Sequence, residues 1–513
     1  MNWKKTLKYT GISFILLLGI GILVMTKDGK RMYGGLTKRV NSEQFSPKNG
    51  SFAIVNVNIV HSEMDSIIPD QTVLIENGLI SKIGPPTTIS AKTEVIDAEG
   101  KYLIPGLIDT HVHLFQSPND LLLYLANGVT EIRELIGEED HLKWRDEIDQ
   151  GKRLGPKMFV ASPRLGSFKS MEGWFMSWSQ GYMNVQNAQQ AREKVQSLHD
   201  KGYDGIKIYS QINKESYMAV LQTADSLGMP VFGHIPWQLE LAEVWKNGQR
   251  GIAHFEELMN ALSREFSDKV NIGSFYGKEE EFLTFVEDRC ASLAENLKKH
   301  DIAVTSTLWL TESFARQPFA IEEVLKEVEL EYENPGISEW VSYIPQGLGW
   351  LPEVNRYKLP ENLTEEEKNG RKKYWKTYTK ACQILANKLS SLGVKIMTGT
   401  DSNLPPAVPG FSLHDELQSL NRAGMSTAQI LQSATAIPAA WLKSNSGKIE
   451  TGYRANLVLL DNNPLENIAN TKTINMVINN GLVYDRDLLD SILASVKEAN
   501  DASRKVNIDR FIK

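Results

Sequence analysis

Cysteine is almost missing. The 513 residues hold two, Cys290 and Cys382, both in charged, helix-like stretches with no CxxC or CxH spacing, which excludes a disulfide framework and a thiolate metal site. Positive charge is not in surplus either. Lys plus Arg total 56 against 63 Asp plus Glu, a formal net charge of −7, so nothing in the composition would neutralise a phosphate backbone and no nucleic-acid partner is expected. Internal repeats and low-complexity tracts are lacking. Long apolar runs are confined to the N-terminus, which excludes a polytopic membrane chain. What remains, 42% hydrophobic and 23% charged residues, is ordinary globular usage with room for roughly two to four domains or one large domain with attachments.

The exceptional run extends from Tyr9 to Met25 and carries no charge, with Lys4, Lys5 and Lys8 before it and Lys27, Lys30 and Arg31 after it. At about 17 residues it lies at the short limit of a spanning helix. The segment Leu23-Val24-Met25-Thr26 offers no A-x-A-like cleavage site and no lipid-accepting Cys. An N-terminal transmembrane helix within residues 1–30, acting as an uncleaved single-pass anchor, is therefore preferred to a signal removed from a secreted protein. Positive charges on both flanks do not choose an orientation. The segment's likeness to an export signal favours an extracytoplasmic location for the rest of the chain.

After a linker over 31–50, short β-branched runs begin: Phe52 to Val60, then Gln71 to Glu76 followed by the turn dipeptide Asn77-Gly78. Similar runs return at Ala455 to Leu460 and Met476 to Tyr484. The two ends, 51–104 and 445–485, are expected to pair into one small β-sandwich domain, followed by a helical tail over 486–513. Between them, over 105–444, strands and helices alternate. Eight strand candidates run Leu103 to Asp109, Val129 to Glu134, Lys157 to Ser162, Gly205 to Tyr209, Pro230 to His234, Gly251 to His254, Ala303 to Leu308 and Val394 to Thr400. The pattern is that of an α/β chain, and eight strands favour a closed (β/α)8 TIM-like barrel with its active site at the carboxyl ends of the strands. Insertions interrupt the rhythm near 258–300 and 311–360. The second contains Trp340, Tyr343, Trp350 and Pro352, which form either a local mini-core or, as a set, a lid.

The first barrel strand ends in Asp109-Thr110-His111-Val112-His113. Side chains two apart on a strand share a face, so the two imidazoles can grip one divalent cation at the barrel mouth. Four further ionisable residues stand at the ends of other strands: Lys207, His234, His254 and Asp401. Each alone has an ordinary explanation, such as helix capping by Asp401 or a solvated Lys207. In a closed barrel they converge. A protonated Lys207 would repel metal and is costly to bury, whereas a desolvated neutral lysine can add carbon dioxide and become an anionic carbamate able to bridge two cations.

These motifs resemble the amidohydrolase superfamily, in particular its imidazolonepropionase-like and dipeptidase-like branch with a binuclear, lysine-carbamate centre. The resemblance runs from about Ser51 to Asp485 and rests on PGLIDTHVH at 105–113, GVTEIRE at 128–134, IKIYS at 206–210, GHI at 233–235, AHFEEL at 253–258, GTDS at 399–402, PGFSLHDEL at 409–417 and NLVLLDNNPL at 456–465. It implies that His111, His113 and Asp401 hold one metal, His234 and His254 the other, with carbamylated Lys207 between them. Two divalent ions, with Zn suited to these ligands, would then provide a bridging hydroxide as nucleophile, and Asp401 would shuttle the proton. Tyr209 is a candidate oxyanion donor or a rim packing residue, and His414 a capping or packing residue. Three departures stand out. Glu134 follows Arg133 where the family often has Asp, Asn456 replaces the usual Asp of an ADLV-like motif, and Gly166 to Gln180 carries Gly-Trp-Phe-Met-Ser-Trp where relatives commonly have a His-bearing GGH-type motif.

The expected activity is metal-dependent hydrolysis of an amide, peptide-like or cyclic amide C–N bond in a small molecule. Alternatives are a lactonase or esterase, or a mononuclear deaminase, which would need a Glu soon after the fifth-strand His where this chain has Ile235-Pro236-Trp237, although Glu256 and Glu257 lie near the next His. From another class comes a membrane-tethered binding protein without catalysis.

Overall fold

The computed structural model describes residues 21, 24–85, 89–90, 93–267, 273–339 and 348–512. Eight parallel strands form the centre: β1 (Leu107–Val112), β2 (Val129–Glu134), β3 (Lys157–Val160), β4 (Ile206–Ile208), β5 (Val231–Gly233), β6 (Gly251–Ile252), β7 (Ala303–Thr305) and β8 (Ile396–Met397). Strands β1 to β3 pair in order, as do β4 to β8. A bridge between Ala161 and Gly205 joins the two sets. The remaining gap, between β8 and β1, is spanned where the Thr110 amide donates to the Thr398 carbonyl at 3.0 Å. β1 and β2 are buried at every position, as expected of parallel strands covered on both faces.

The first strand expected from sequence, Leu103 to Asp109, is two strands. Tyr102–Pro105 pairs antiparallel with Leu457–Leu460 in the outer sheet, and β1 begins only at Leu107. The division falls at Gly106, where a Cβ would lie 2.1 Å from Thr130 Oγ1. Only a residue without a side chain lets the chain pass from one sheet to the other there. The outer strands come from both ends of the chain, as their runs suggested. Hydrogen bonds link all nine of them into a single sheet rather than the two sheets of a sandwich. Register shifts in Phe52–Val60 near Ile54 and Val57 are irregularities of the kind that add local twist, and these strands share a core of their own that includes Ile54, Val73, Leu103, Leu457 and Ile478.

Five helices matter for the site and its surroundings: α1 (Ser170–Gln180), α2 (Phe255–Phe266), α3 (Leu308–Leu325), α4 (Glu365–Ser391) and α5 (Phe411–Arg422). α4 starts with a reciprocal capping box between Thr364 and Glu367. The first expected insertion is largely helical, comprising α2 and the helix Glu279–Lys299. In the second, Trp350 is fully buried against Trp309, Leu325 and Phe511, so it belongs to a local core. Trp340 and Tyr343 lie outside the described residues. Cys290 and Cys382 are free thiols, both buried.

The apolar run from Tyr9 to Met25 falls mostly outside the described residues. Among the described residues no helix is long and apolar enough to cross a membrane. Residues 24–32 are helical, and the chain then turns so that Tyr33 packs on Phe115, with ring centroids 5.0 Å apart.

Candidate metal centre

At the carboxyl ends of the strands the backbone leaves the sheet abruptly. His254, Thr307 and Asp401 all have positive φ, 73°, 50° and 57°, a region that non-glycine residues enter at a cost and that recurs at functional sites. The close packing of β8 against β1 aids this turn. A Cβ on Gly399 would sit 2.8 Å from His111 Cβ, so glycine there lets the Asp401 loop approach the HxH strand. The Asp401 amide then donates to the His111 carbonyl at 2.7 Å.

His111, His113, Lys207, Tyr209, His234, His254 and Asp401 all line one cavity of about 300 Å³. The nitrogen and carboxylate atoms of His111, His254 and Asp401 lie within 4.8 Å of one another. Asp401 Oδ1 is 2.7 Å from His113 Nε2 and 3.3 Å from His111 Nε2. His234 stands beside this group, its ring 5.4 Å from that of His254. Tyr209 stacks on His234 at 3.9 Å. His414 lies elsewhere: Nε2 is 3.2 Å from the Asn127 carbonyl and Nδ1 3.0 Å from Thr471 Oγ1, a packing role on α5.

Three of the four imidazoles stand beside polar residues to which the sequence reading assigned no role. Glu257 Oε1 accepts from His234 Nδ1 at 2.8 Å and Oε2 from the Ile235 amide. Thr307 Oγ1 is 2.9 Å from His254 Nδ1. Buried Glu134 accepts the Leu114 and Ile136 amides and lies 3.8 Å from His113 Nδ1, so the extra methylene of Glu over Asp is accommodated beside the HxH strand. Such partners fix which ring nitrogen faces a cation. In the sequence Glu257 stood out only through AHFEEL and as one of two carboxylates, with Glu256, near His254. Asn456, the other departure, accepts the Asn480 amide through Oδ1 at 2.9 Å.

Electrostatics divide the group. Burial, aided by the charge of Lys207, holds His111 well below its ordinary basicity. Burial likewise lowers His254 to about 3 against the opposing pull of Asp401. For Asp401 burial works upward, but His113, by charge and hydrogen bond, outweighs it and holds the carboxyl down at about 2. Burial brings Lys207 down to about 7, and among the described residues it makes no ion pair. A lysine so placed is substantially neutral near pH 7.

The donor set fits divalent cations. His111 Nδ1 and His113 Nδ1 are buried without hydrogen-bond partners, a condition that is costly unless something else satisfies them. The cavity wall is completed by Tyr33 from the N-terminal segment, Arg164 beyond β3, Glu256 on α2, and Arg356 and Tyr357 from the second insertion. Of these five only Glu256, as a carboxylate near His254, was noted from sequence.

Among curated proteins, the dihydroorotase of Trichlorobacter lovleyi is 60% identical over 42 residues, 8% of this chain and 10% of that relative, so the chain spans only a tenth of its length. The 5′-deoxyadenosine deaminase of Methanococcoides burtonii is 21% identical over 413 residues, covering 78% of this chain and 81% of the relative. Among solved structures, bottromycin amidohydrolase is similar with a TM-score of 0.66 at 21% identity, over 92% of this chain and 96% of that one. The likeness speaks for a shared fold. Residues 183–483, more than half of the chain, match the Amidohydrolase family, and the chain belongs to that family.

Proposed function

We propose that this protein hydrolyses an amide, peptide-like or cyclic amide C–N bond of a small molecule, using two divalent cations. The observation that carries this reading is the convergence of four imidazoles, the Asp401 carboxylate and the buried Lys207 on one cavity. His111, His113 and Asp401 would hold one cation and His234 and His254 the other, with Lys207 as a carbamate between them. Zn suits the imidazole and carboxylate donors. Bound there, the cations supply a water of lowered pKa and polarise a carbonyl oxygen.

The remaining work falls to the chain's own side chains. Asp401 accepts a proton on a carboxylate oxygen and returns it to the leaving nitrogen. Burial raises the Tyr209 hydroxyl above its usual range, so it stays protonated near neutral pH and can donate to an oxyanion. Glu257, Thr307 and Glu134 keep the imidazoles oriented. Arg164 and Arg356 in the cavity wall favour a substrate bearing an anionic group, such as a dipeptide or an acylated amino acid.

Metal content tests this directly. Full-length protein purified without chelators should hold about two metal ions per chain, and Lys207→Ala should lose bound metal and turnover together. Retention of both by Lys207→Ala sinks the carbamate. The long match to a deaminase favours a second reading, a mononuclear deaminase on the His111, His254 and Asp401 cluster. One metal per chain with ammonia release from an aminated heterocycle would select it. An esterase or lactonase would reveal itself by faster turnover of esters than of matched amides. Protein that binds no metal even after reconstitution with bicarbonate would point to the non-catalytic binding protein. As to location, the apolar run from Tyr9 to Met25 supports a single-pass anchor with the barrel on the extracytoplasmic side.

A further inference from the structure

Helix α1 is inside out. Apolar residues at spacings of three and four along a helix ordinarily face a core, yet on α1 the stripe Met171, Trp174, Phe175 and Trp178 is exposed at 85%, 68%, 39% and 44%. The side turned to the protein is the small and polar one. Gly173 is buried so closely that a Cβ would lie 2.1 Å from Asn184 Nδ2, and Ser179 and Gln180 are buried with it. Trp174 and Trp178 stack, with their rings 3° from parallel at 5.9 Å. A contiguous exposed stripe of this kind marks an interaction surface.

Its position names the occupant. The C-terminal end of α1 is tied to the cavity wall, because the Gln180 carbonyl accepts from Arg164, and Arg164 and Tyr33 line the same cavity. Tyr33 is where the N-terminal segment reaches the barrel. Some 20 residues precede that segment's described part, and they include most of the uncharged apolar run from Tyr9 to Met25. The described end of the N-terminal segment and the C-terminal end of α1 therefore meet at one part of the cavity wall. Exposed Lys27 and Lys30 precede Tyr33 in the chain and exposed Lys169 precedes α1, and Trp237, beyond His234, is 62% exposed. Indole rings with an apolar body and one N–H settle at membrane–water interfaces, and lysines beside them complement anionic headgroups.

We infer that the mouth of the barrel faces a lipid bilayer, with α1 lying in the interfacial plane and its Met171–Trp178 stripe among the headgroups and upper acyl chains. The inference rests in part on the anchor reading above, and goes beyond it by fixing which face of the catalytic domain meets the membrane. Substrate would then enter the cavity from the membrane surface.

A fluorescent label on Met171→Cys tests this, with Leu392→Cys as the reference, since Leu392 is 40% exposed just before β8, at the opposite end of the barrel. The two native cysteines are buried and leave the introduced thiol as the reactive one. Full-length protein is mixed with phosphatidylcholine–phosphatidylglycerol vesicles. At position 171, emission should shift to the blue, quenching by iodide should fall several-fold, and brominated acyl chains should quench; position 392 should not change. Trp174→Cys, labelled in the same way, should repeat the result at 171. If the chain floats with the vesicles while position 171 stays as open to iodide as position 392, the anchor survives and the docked mouth is wrong. If the chain does not float, both fall. Shielding of position 171 without quenching by brominated lipid would assign the stripe to a second copy or to the N-terminal run, and would overturn the inference.

Discussion

The strand ends and the cavity wall around them are built by different rules. At the strand ends every imidazole is deeply buried or nearly so, and three of the four have a polar neighbour of their own, Glu257 for His234, Thr307 for His254 and Glu134 for His113. The wall is assembled from segments outside the strands, and Arg356 in it is exposed and, among the described residues, hydrogen-bonded only to its neighbour Tyr357 at 2.7 Å. Rigid backbone holds the atoms that need sub-ångström placement. Segments outside the strands hold those that select a ligand.

If that division is real, substitutions should sort by region. Asp401→Asn should cut kcat by about 10² to 10⁴-fold with thermal stability little changed, and a variant that turns over normally ends its role as proton carrier. Glu257→Gln should act through His234. Metal affinity should weaken by about 10- to 100-fold, and titration of the metal-free protein would detect this without any substrate; unchanged affinity would mean that Glu257 braces only the Ile235 amide. Arg356→Ala should raise KM by about three- to tenfold, discounted for exposure, while kcat is kept. A loss in kcat equal to that in kcat/KM would move Arg356 from wall to machinery.

His414 sharpens the comparison from outside the cavity. Burial lowers it to about 3, as it lowers His254 to about 3, but among the described residues His414 joins no metal-binding group. Depressed basicity alone therefore does not make a ligand. Because the folded value lies below the ordinary 6.5, the unfolded chain binds a proton first as pH falls. The neutral His414 is tolerated at neutral pH, and stability is lost between about pH 6.5 and 3, by at most about 1.4 kcal/mol per pH unit. His414→Gln, which keeps an amide donor for Asn127, should flatten the fall of Tm with acid over that window; an unaltered slope would place the acid sensitivity in other groups.

Much of the barrel was legible because parallel strands buried on both faces are short β-branched runs with little polar interruption, and His111, His234 and Asp401 are adjacent in sequence to such runs. The break at Gly106 was not. Leu103 to Asp109 reads as one strand, and only the contact with Thr130 shows why it changes sheets. The site's braces were hidden for a related reason. Glu257 and Thr307 are ordinary polar residues in the chain, and what gives them a role is an imidazole delivered from another strand.

The sequence by itself determined the identities and order of the chemical groups, since ligand type and strand periodicity are local properties. Tertiary structure alone decided which face of α1 is exposed, that Trp350 packs inside while Trp174 and Trp178 do not, and that Arg356 reaches the cavity from a segment far from any ligand. A helical stripe records that one face differs from the other. Which face meets the protein is set by the close contact of Gly173 with Asn184, and a contact between separate segments exists only once the chain has folded.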